Sequence, residues 1–168
     1  GYPVFTRKAH TDVSYLACAR RMLAAGPALY PMFATHNAHS ASAIVEYAIA
    51  RKTALADLEF QRLHGMGEAL HREITSSLSI ASRVYAPVGS HQDLLPYLVR
   101  RLLENGANTS FVNHIADRAV PVEAIIADPV ARTRSRGAIP NTMLPLPRAL
   151  FLPERANSRG LSLADQPA

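Results

Sequence analysis

The feature of this sequence that most constrains its fold is an alternation of strand-like and helix-like segments, which occurs three times in the same order. Each unit starts with a short run rich in aromatic and β-branched residues, the pattern of a buried strand. A segment with helical periodicity follows each run, so that the units cover residues 30–52, 58–78 and 82–105. Such alternation with short connections is typical of βα units in a parallel sheet, and it predicts an α/β fold.

The segment boundaries follow from the residue types. Predicted strands lie at residues 30–37, 58–67 and 82–89, and predicted helices lie at 12–26, 40–52, 68–78 and 90–105. Ser90 with Asp93 resembles a capping box at the start of the last helix, and Gly106 is placed to end that helix. The same helix has one apolar face, formed by Leu94, Leu95, Leu98 and Leu102.

Prolines dominate the last third of the chain. Seven of the 12 prolines follow Asn113, and we expect one short helix there, within residues 121–131. From about Arg132 onward the composition is that of an extended linker. We therefore divide the chain into a folded part, residues 1–130, and an extended tail, residues 131–168.

The composition argues against several classes of protein. The net charge of +5 comes from scattered basic residues without interleaved aromatics, so we expect no nucleic-acid partner. Cys18 is the single cysteine, which rules out an internal disulfide framework, and its apolar helical surroundings predict an inert core thiol. No apolar run reaches the ~18 residues of a membrane span. The chain starts with neither a Met nor a signal peptide, so we expect it to be part of a longer protein.

Polar side chains follow all three predicted strands. Thr35, His36 and Asn37 follow the first strand, residues 61–67 the second, and residues 85–91 the third. Ligands of parallel βα folds bind beyond the carboxyl ends of the strands. Polar residues at one strand end usually just start a turn, but three such ends together predict a ligand site.

Two kinds of ligand are compatible with these residue types. His36, His64 and His91 each follow a strand and could converge on a metal ion, although the strand ends lack carboxylate ligands. The alternative is a nucleotide-type cofactor, which Thr, His, Asn and Gln side chains can bind through its base, ribose or pyrophosphate. No glycine-rich phosphate loop is present. A hydroxyl and two cations for phosphate are offered by Thr6, Arg7 and Lys8.

Two adjacent arginines lie on the last predicted helix. At about 100° per residue, Tyr97, Arg100, Arg101 and Glu104 lie on one side of the helix, away from the leucine face. One interpretation is a solvated face, in which an Arg101–Glu104 pair contributes ~0.2–0.5 kcal/mol. The other is a helix that leans over the strand ends, so that two guanidinium groups bind a carboxylate and Glu104 holds one of them.

Four long segments are specific enough to suggest a family: GYPVFTRKAHTDVSYLACA, YPMFATHNAHSASAI, FQRLHGMGEAL and RVYAPVGSHQDLLPYLVRRLLENGANTSFVN. They closely resemble the flavin-dependent proline dehydrogenase domain of bacterial bifunctional proline utilisation proteins, over residues 1 to about 129. The resemblance implies the C-terminal portion of a (βα)8 TIM-type barrel, with strands six to eight and helices five to eight. The proline-rich remainder resembles the linker to that family's aldehyde dehydrogenase module.

The resemblance also implies a reaction and its partners. L-proline would be oxidised to Δ1-pyrroline-5-carboxylate by hydride transfer to FAD, and the reduced flavin would pass its electrons to a quinone. The protein would be cytoplasmic, with membrane contact of the parent chain at the cytoplasmic face. The family's catalytic lysine, aspartate and arginine lie on earlier strands, so we expect these 168 residues to need the N-terminal half of the barrel.

Site residues are implied by the same resemblance. Arg100 and Arg101 would bind the proline carboxylate, Glu104 would pair with Arg101, and Tyr85 and Leu63 would pack on the proline ring. The positions implied to bind FAD, which also include Arg101, are Thr6, Arg7, Lys8, Thr35, His36, Asn37, Gln61, Arg62, Ser110 and Phe111.

Two positions depart from the family pattern. Arg62 stands where a small residue or cysteine is expected, and His114 stands where arginine is expected.

Three hypotheses follow from these patterns. The first is a segment of a flavoenzyme. The second is a non-catalytic half-barrel that associates with itself or with a partner chain and thereby buries its open sheet edges. The third is a metal-dependent barrel enzyme that uses the histidines.

Overall fold

The computed structural model describes residues 4–105, 117, 119–137 and 139–158. The helices and strands are, in chain order, α1 (Lys8–Ala24), β1 (Met32–Ala34), α2 (Ala38–Ala50), β2 (Glu59–Leu63), α3 (Glu68–Leu78), β3 (Ala81–Tyr85), α4 (His91–Asn105), α5 (Val122–Ile125) and α6 (Pro129–Arg136). Short 3-10 turns lie at Gly26–Ala28, Leu55–Asp57 and Pro147–Ala149. The predicted α/β alternation is confirmed. Each strand is shorter than predicted, because the polar residues at its carboxyl end form a turn.

Side-chain caps define where three of the helices begin. Asn37 Oδ1 accepts the backbone N–H groups of the first turn of α2. At α4 the predicted cap by Ser90 is confirmed, because Ser90 Oγ accepts from the Asp93 N–H at 3.3 Å. The Asp93 carboxylate accepts from the Ser90 hydroxyl at 2.7 Å and not from the Ser90 N–H, so the two side chains form a variant of the capping box. Asp128 caps α6, with Pro129 in the first turn. These caps satisfy N–H groups that have no partner within the helix.

The three strands form a parallel sheet in the order β1-β2-β3. Phe33 is in register with Phe60, and Phe60 with Ser82. Side chains alternate between the two faces of a sheet, so these three residues share the face that packs on the helices. The opposite face, here called the inner face, carries Met32, Ala34, Glu59, Gln61, Leu63, Ala81, Arg83 and Tyr85.

The hydrophobic core lies between the sheet and helices α1, α2 and α3. Phe60 is fully buried and its ring lies 6.0 Å from the ring of Phe33. Complete burial of an apolar side chain of this size stabilises the fold by about 1.5–3 kcal/mol. The other core residues are Ala19, Leu23, Ala41, Ile44, Val45, Ala48, Leu58, Ile74 and Ile80.

Two expectations about α1 and the chain beyond residue 130 need correction. Cys18 is exposed and is therefore not a core thiol. The buried residues of α1 are Ala19 and Leu23, which lie one turn apart on the side of the helix that faces the core. Residues 131–136, expected to start an extended tail, are helical and belong to α6. The division of the chain into a folded part and a tail stays a prediction. None of the described helices is long and apolar enough to cross a membrane.

Candidate functional site

The turn after β1 is held by its own side chains. Thr35 Oγ1 accepts from the Asn37 N–H at 3.1 Å, and Asn37 Oδ1 accepts from the N–H groups of His39 at 3.0 Å and Ser40 at 3.3 Å. Within the described residues, the Thr35 hydroxyl and the Asn37 Nδ2 donate no hydrogen bond. The side chains therefore shape the turn and still have donors available for a ligand.

Two histidines join the carboxyl ends of the strands. The Leu63 N–H donates to His36 Nε2 at 3.1 Å, so a neutral His36 carries its proton on Nδ1. His71 is buried, and its Nε2 donates to the Thr35 carbonyl at 2.9 Å because a carbonyl can only accept. His71 Nδ1 then accepts from the Ser82 hydroxyl at 2.7 Å. His71 was absent from the sequence prediction, although it ties α3 to both β1 and β3.

The turn between β2 and α3 packs closely around His36. Gly67 has φ +65°, and a Cβ at this position would lie 2.9 Å from His36 Cδ2. Arg62 Nη1 lies 3.4 Å from the Met66 carbonyl oxygen and 3.6 Å from a Glu68 carboxylate oxygen. The guanidinium of Arg62, at a position implied to bind FAD, thus braces this turn.

His71 makes the stability of the fold depend on pH. Burial lowers the pKa of His71 below its usual value; the hydrogen bond to the Thr35 carbonyl opposes this shift and the charge of Arg62 adds to it. The unfolded state therefore takes up the proton at higher pH than the folded state. The stability is complete above the usual histidine pKa of about 6.5 and is lost as the pH falls below it.

We expect the free energy of unfolding of this chain to fall between about pH 7 and pH 5, with His71 contributing at most about 1.4 kcal/mol per pH unit. Urea unfolding at several pH values measures this slope. His71→Gln should reduce the slope of unfolding free energy against pH but not abolish it. Burial also lowers the pKa of His36, so His36 contributes to the same slope. His64→Gln, at an exposed position, is the matched control. Equal slopes for the unsubstituted chain and His71→Gln would contradict the assignment.

A buried carboxylate, missed at the sequence level, lies on the inner face. Glu59 is 3% exposed and accepts from Arg83 Nε and Nη2, both at 2.9 Å, and from Gln61 Nε2 at 2.8 Å. The hydrogen bonds from Arg83 and then Gln61 lower the pKa of Glu59 against the effect of burial. The alternation of side chains along a strand predicts that Glu59 and Gln61 share one face. It does not predict that Arg83 covers Glu59.

Helix α4 turns its polar and aromatic side toward the inner face. The Tyr97 ring lies 6.3 Å from the ring of Tyr85, and the Arg101 guanidinium carbon lies 5.2 Å from the Tyr97 ring centre. Arg101 Nη1 contacts Glu104 Oε2 at 2.5 Å. Arg101 Nε is buried and has no hydrogen-bond partner within the described residues. A fully solvated charge pair would not bury this donor.

The leucine face of α4 is the exposed one. Leu95 is 60% and Leu102 71% exposed, whereas the Arg101 side chain is 22% exposed. The helix therefore rests on its Tyr97–Arg101 side, the reverse of an ordinary amphipathic helix. Arg100 is exposed, and no ion pair involves it within the described part of the chain.

The structure brings most of the predicted site residues together. Leu63 and Tyr85 are register partners on the inner face, and Gln61 lies one inner-face position before Leu63. Burial and the neighbouring His71 lower the pKa of His36; Glu104 raises it and Arg101 lowers it, as expected if the charged side of α4 lies near the end of β1. Tyr97, to which the sequence analysis gave no role, is the ring that joins Tyr85 to Arg101.

The candidate residues near the N-terminus, Thr6, Arg7 and Lys8, make contacts within the fold. Lys8 forms an ion pair with Asp12, and Arg7 donates to the Ile139 carbonyl at 2.9 Å. Thr6 Oγ1 accepts from the Asn141 N–H at 2.8 Å. Lys8 nevertheless shares the lining of a 110 Å³ cavity with Asn37, Asp12, His39 and Arg132. Ser110, Phe111 and His114 lie outside the described residues.

The described histidines do not assemble a metal site. No group of three His, Cys, Asp or Glu side chains is positioned to hold an ion in the described ranges. His36 Nε2 already accepts the Leu63 N–H. The arrangement instead offers a half-buried guanidinium beside a tyrosine ring, which suits an anionic group of a ligand.

Comparisons with known proteins show the family of the chain. The family model described as proline dehydrogenase matches residues 1–114. The chain is 51% identical to the bifunctional protein PutA of Escherichia coli and 45% identical to that of Rhizobium meliloti, covering 99% and 98% of this chain but 13% and 14% of those proteins. The chain thus spans about an eighth of the length of these relatives.

Solved structures show the same likeness. A mutant of Bradyrhizobium japonicum proline utilization A superposes with a TM-score of 0.82 at 54% identity, over 95% of this chain and 16% of that one. Proline utilization A of Bdellovibrio bacteriovorus, inactivated by N-propargylglycine, gives a TM-score of 0.73 at 34% identity, over 83% of this chain and 14% of that one.

Proposed function

Because the chain belongs to the proline dehydrogenase family, we propose that it is the C-terminal portion of a (βα)8 barrel that oxidises L-proline with FAD. The sheet supports the barrel part of this proposal. Its strands follow one another in chain order without a reversal, and α1, α2 and α3 cover one face only. A barrel has this arrangement, with helices outside and the inner face enclosed.

The observation that carries the substrate assignment is Arg101 Nε, which is buried and has no hydrogen-bond partner in the described part of the chain. Arg101 Nη1 is held by Glu104, and the guanidinium lies over the Tyr97 ring, so its plane and charge are fixed. A carboxylate would satisfy the Nε donor through a paired N–H···O arrangement. Arg100, on the same helix and exposed, supplies a second cation for it. Leu63 and Tyr85 would pack on the pyrrolidine ring.

The residues at the strand ends fit an FAD. The Thr35 hydroxyl and Asn37 Nδ2 are donors without a partner in the described segments, and His36 Nδ1 carries a proton. Together with Lys8 in the adjoining cavity, they suit the hydroxyls and phosphates of the cofactor. Arg62, which the resemblance implied to bind FAD, contacts the β2–α3 turn instead and stabilises it.

When bound, the flavin would accept the hydride that proline loses, and a quinone would then reoxidise it. The residues of this chain contribute binding and orientation. Arg101 and Arg100 would anchor the carboxylate, and the two tyrosine rings would exclude water from the ring-binding side. The parent protein would be cytoplasmic, with peripheral contact at the membrane where the quinone lies.

The remaining strands of the barrel and an aldehyde dehydrogenase module would come from the rest of a complete protein. The chain covers 13% of its Escherichia coli relative. The exposed leucine face of α4 and the edge strands β1 and β3 are surfaces that the rest of the barrel would cover. The same surfaces support the second hypothesis, in which the chain associates with itself or a partner.

We expect the 168-residue chain alone neither to reduce an artificial electron dye with L-proline nor to retain FAD through gel filtration, because the proposed earlier strands of the barrel would supply the rest of the site. Substituting the chain for the matching segment of the Escherichia coli relative gives a protein here called the complete-barrel chimera, which should be yellow and active. Proline-dependent dye reduction by the chain alone would contradict the proposal. A colourless chain that elutes as a dimer, together with an inactive chimera, would favour the association hypothesis.

A further inference from the structure

The amide of Gln61 has one orientation imposed on it. Its Nε2 lies 2.8 Å from Glu59 Oε1, and an ionised carboxylate accepts hydrogen bonds but cannot donate them. The nitrogen of the amide must therefore face Glu59, which leaves the carbonyl oxygen Oε1 on the other side. Within the described residues Oε1 of Gln61 has no hydrogen-bond partner, while Nε2 also lies 3.4 Å from the Met32 sulfur.

Glu59 is held in its ionised form by its neighbours. Arg83 donates twice to it at 2.9 Å, once to each carboxylate oxygen. Gln61 and Arg83 lower the pKa of Glu59, so it is charged at neutral pH. The Glu59 side chain is 4% exposed, whereas that of Arg83 is 67% exposed. Arg83 thus covers the carboxylate from the open side and prevents it from turning away from Gln61.

Gln61 lies within the candidate site. It is one inner-face position before Leu63, and its register partner on β3 is Arg83, two residues before Tyr85. Its backbone carbonyl accepts from the Thr35 N–H at 3.2 Å, which joins it to the turn after β1. Because Gln61 is an inner-face residue, a ligand on that face would lie beside its side chain.

We infer that Glu59 is a positioning residue that presents Gln61 Oε1 as an acceptor to a hydrogen-bond donor of the cofactor. This inference rests on the proposed function. It excludes a phosphate oxygen as the group facing Gln61, because two acceptors do not pair. The donors of an FAD are the imide N–H of the flavin ring, the hydroxyls and the adenine amine, and the test separates the first of these from the others.

The test uses the complete-barrel chimera and measures FAD affinity by titrating the cofactor-free protein with FAD and recording flavin fluorescence. Glu59→Gln permits the Gln61 amide to flip, and Gln61→Leu removes the acceptor. We expect each to weaken FAD binding about three- to tenfold, the range of one uncharged hydrogen bond. In the Gln61→Leu background, Glu59→Gln should add less than about twofold, since Glu59 acts through Gln61.

The controls separate positioning from structure. Glu73→Gln removes a carboxylate at an exposed position of α3 and should leave FAD affinity unchanged. Thermal unfolding of the cofactor-free proteins records any structural loss. If Glu59→Gln weakened FAD binding equally with Gln61 present and in the Gln61→Leu variant, Glu59 would have only a structural role and the inference would be overturned. Unchanged FAD affinity in Gln61→Leu would overturn it even if Glu59→Gln did not fold.

A cofactor analogue identifies the donor. FAD methylated at the imide nitrogen lacks that N–H, so the effect of Gln61→Leu should vanish with this analogue if the imide faces Gln61. If the effect persists, the donor is a hydroxyl or the adenine amine, which also supports an acceptor role for Gln61. Tighter FAD binding by Gln61→Leu would overturn the inference. Failure of the unsubstituted chimera to bind FAD would instead reject the proposed function.

Discussion

Arg101→Lys in the complete-barrel chimera is expected to raise the KM for L-proline at least tenfold, which corresponds to about 1.4 kcal/mol of lost binding. A lysine keeps the charge but loses the planar pair of donors and the stacking on Tyr97. It also loses the Nε group, the buried donor that lacks a partner in the described structure. Steady-state kinetics over a range of proline concentrations measure the change.

Two comparisons show whether this effect belongs to the carboxylate. Arg72→Lys, at an exposed position of α3, should leave KM within about twofold, since surface substitutions have small effects. Pyrrolidine has the ring of proline but no carboxylate. Its KM should therefore be the same for the unsubstituted chimera and for Arg101→Lys. An unchanged KM for Arg101→Lys would remove the carboxylate-binding interpretation of α4.

Phe60→Ala is expected to lower the free energy of unfolding of the 168-residue chain by about 3–5 kcal/mol. Phe60 is fully buried and contacts the rings of Phe33 and His71. Its removal leaves a cavity that the sheet and α3 can fill only in part. Because whole domains are stable by about 5–15 kcal/mol, this loss is a large fraction of the total stability. Urea unfolding followed by circular dichroism measures the difference.

Phe5→Ala is the matched control for this substitution. Phe5 is 57% exposed, so the same loss of a ring should cost less than about 1 kcal/mol. If both variants lost the same stability, the core between the sheet and helices α1, α2 and α3 would not be the source of the folding free energy.

The sequence by itself determined the order and type of the elements from α1 to α4, but it predicted one short helix where α5 and α6 lie. Strand and helix differ in the period of their apolar residues, and this period is local, so the three βα units could be predicted. The capping box at Ser90 and Asp93 was also predictable, because it depends on residues three apart. The family resemblance implied the substrate and cofactor positions in the same way, from contiguous segments.

The tertiary structure decided which face of each element is covered. The leucines of α4 predicted its apolar side, but the helix rests on Tyr97 and Arg101 because it lies against Tyr85 of β3. Cys18 is exposed although its neighbours in α1 are apolar.

Glu59 and His71 are the clearest cases of what only the tertiary structure reveals. Each is buried by partners 24 or more residues away in the chain, Arg83 and Thr35 respectively. A buried polar group is tolerated only where such partners satisfy it. The partners are set by strand register and helix packing between distant segments, and no local pattern of residues encodes them.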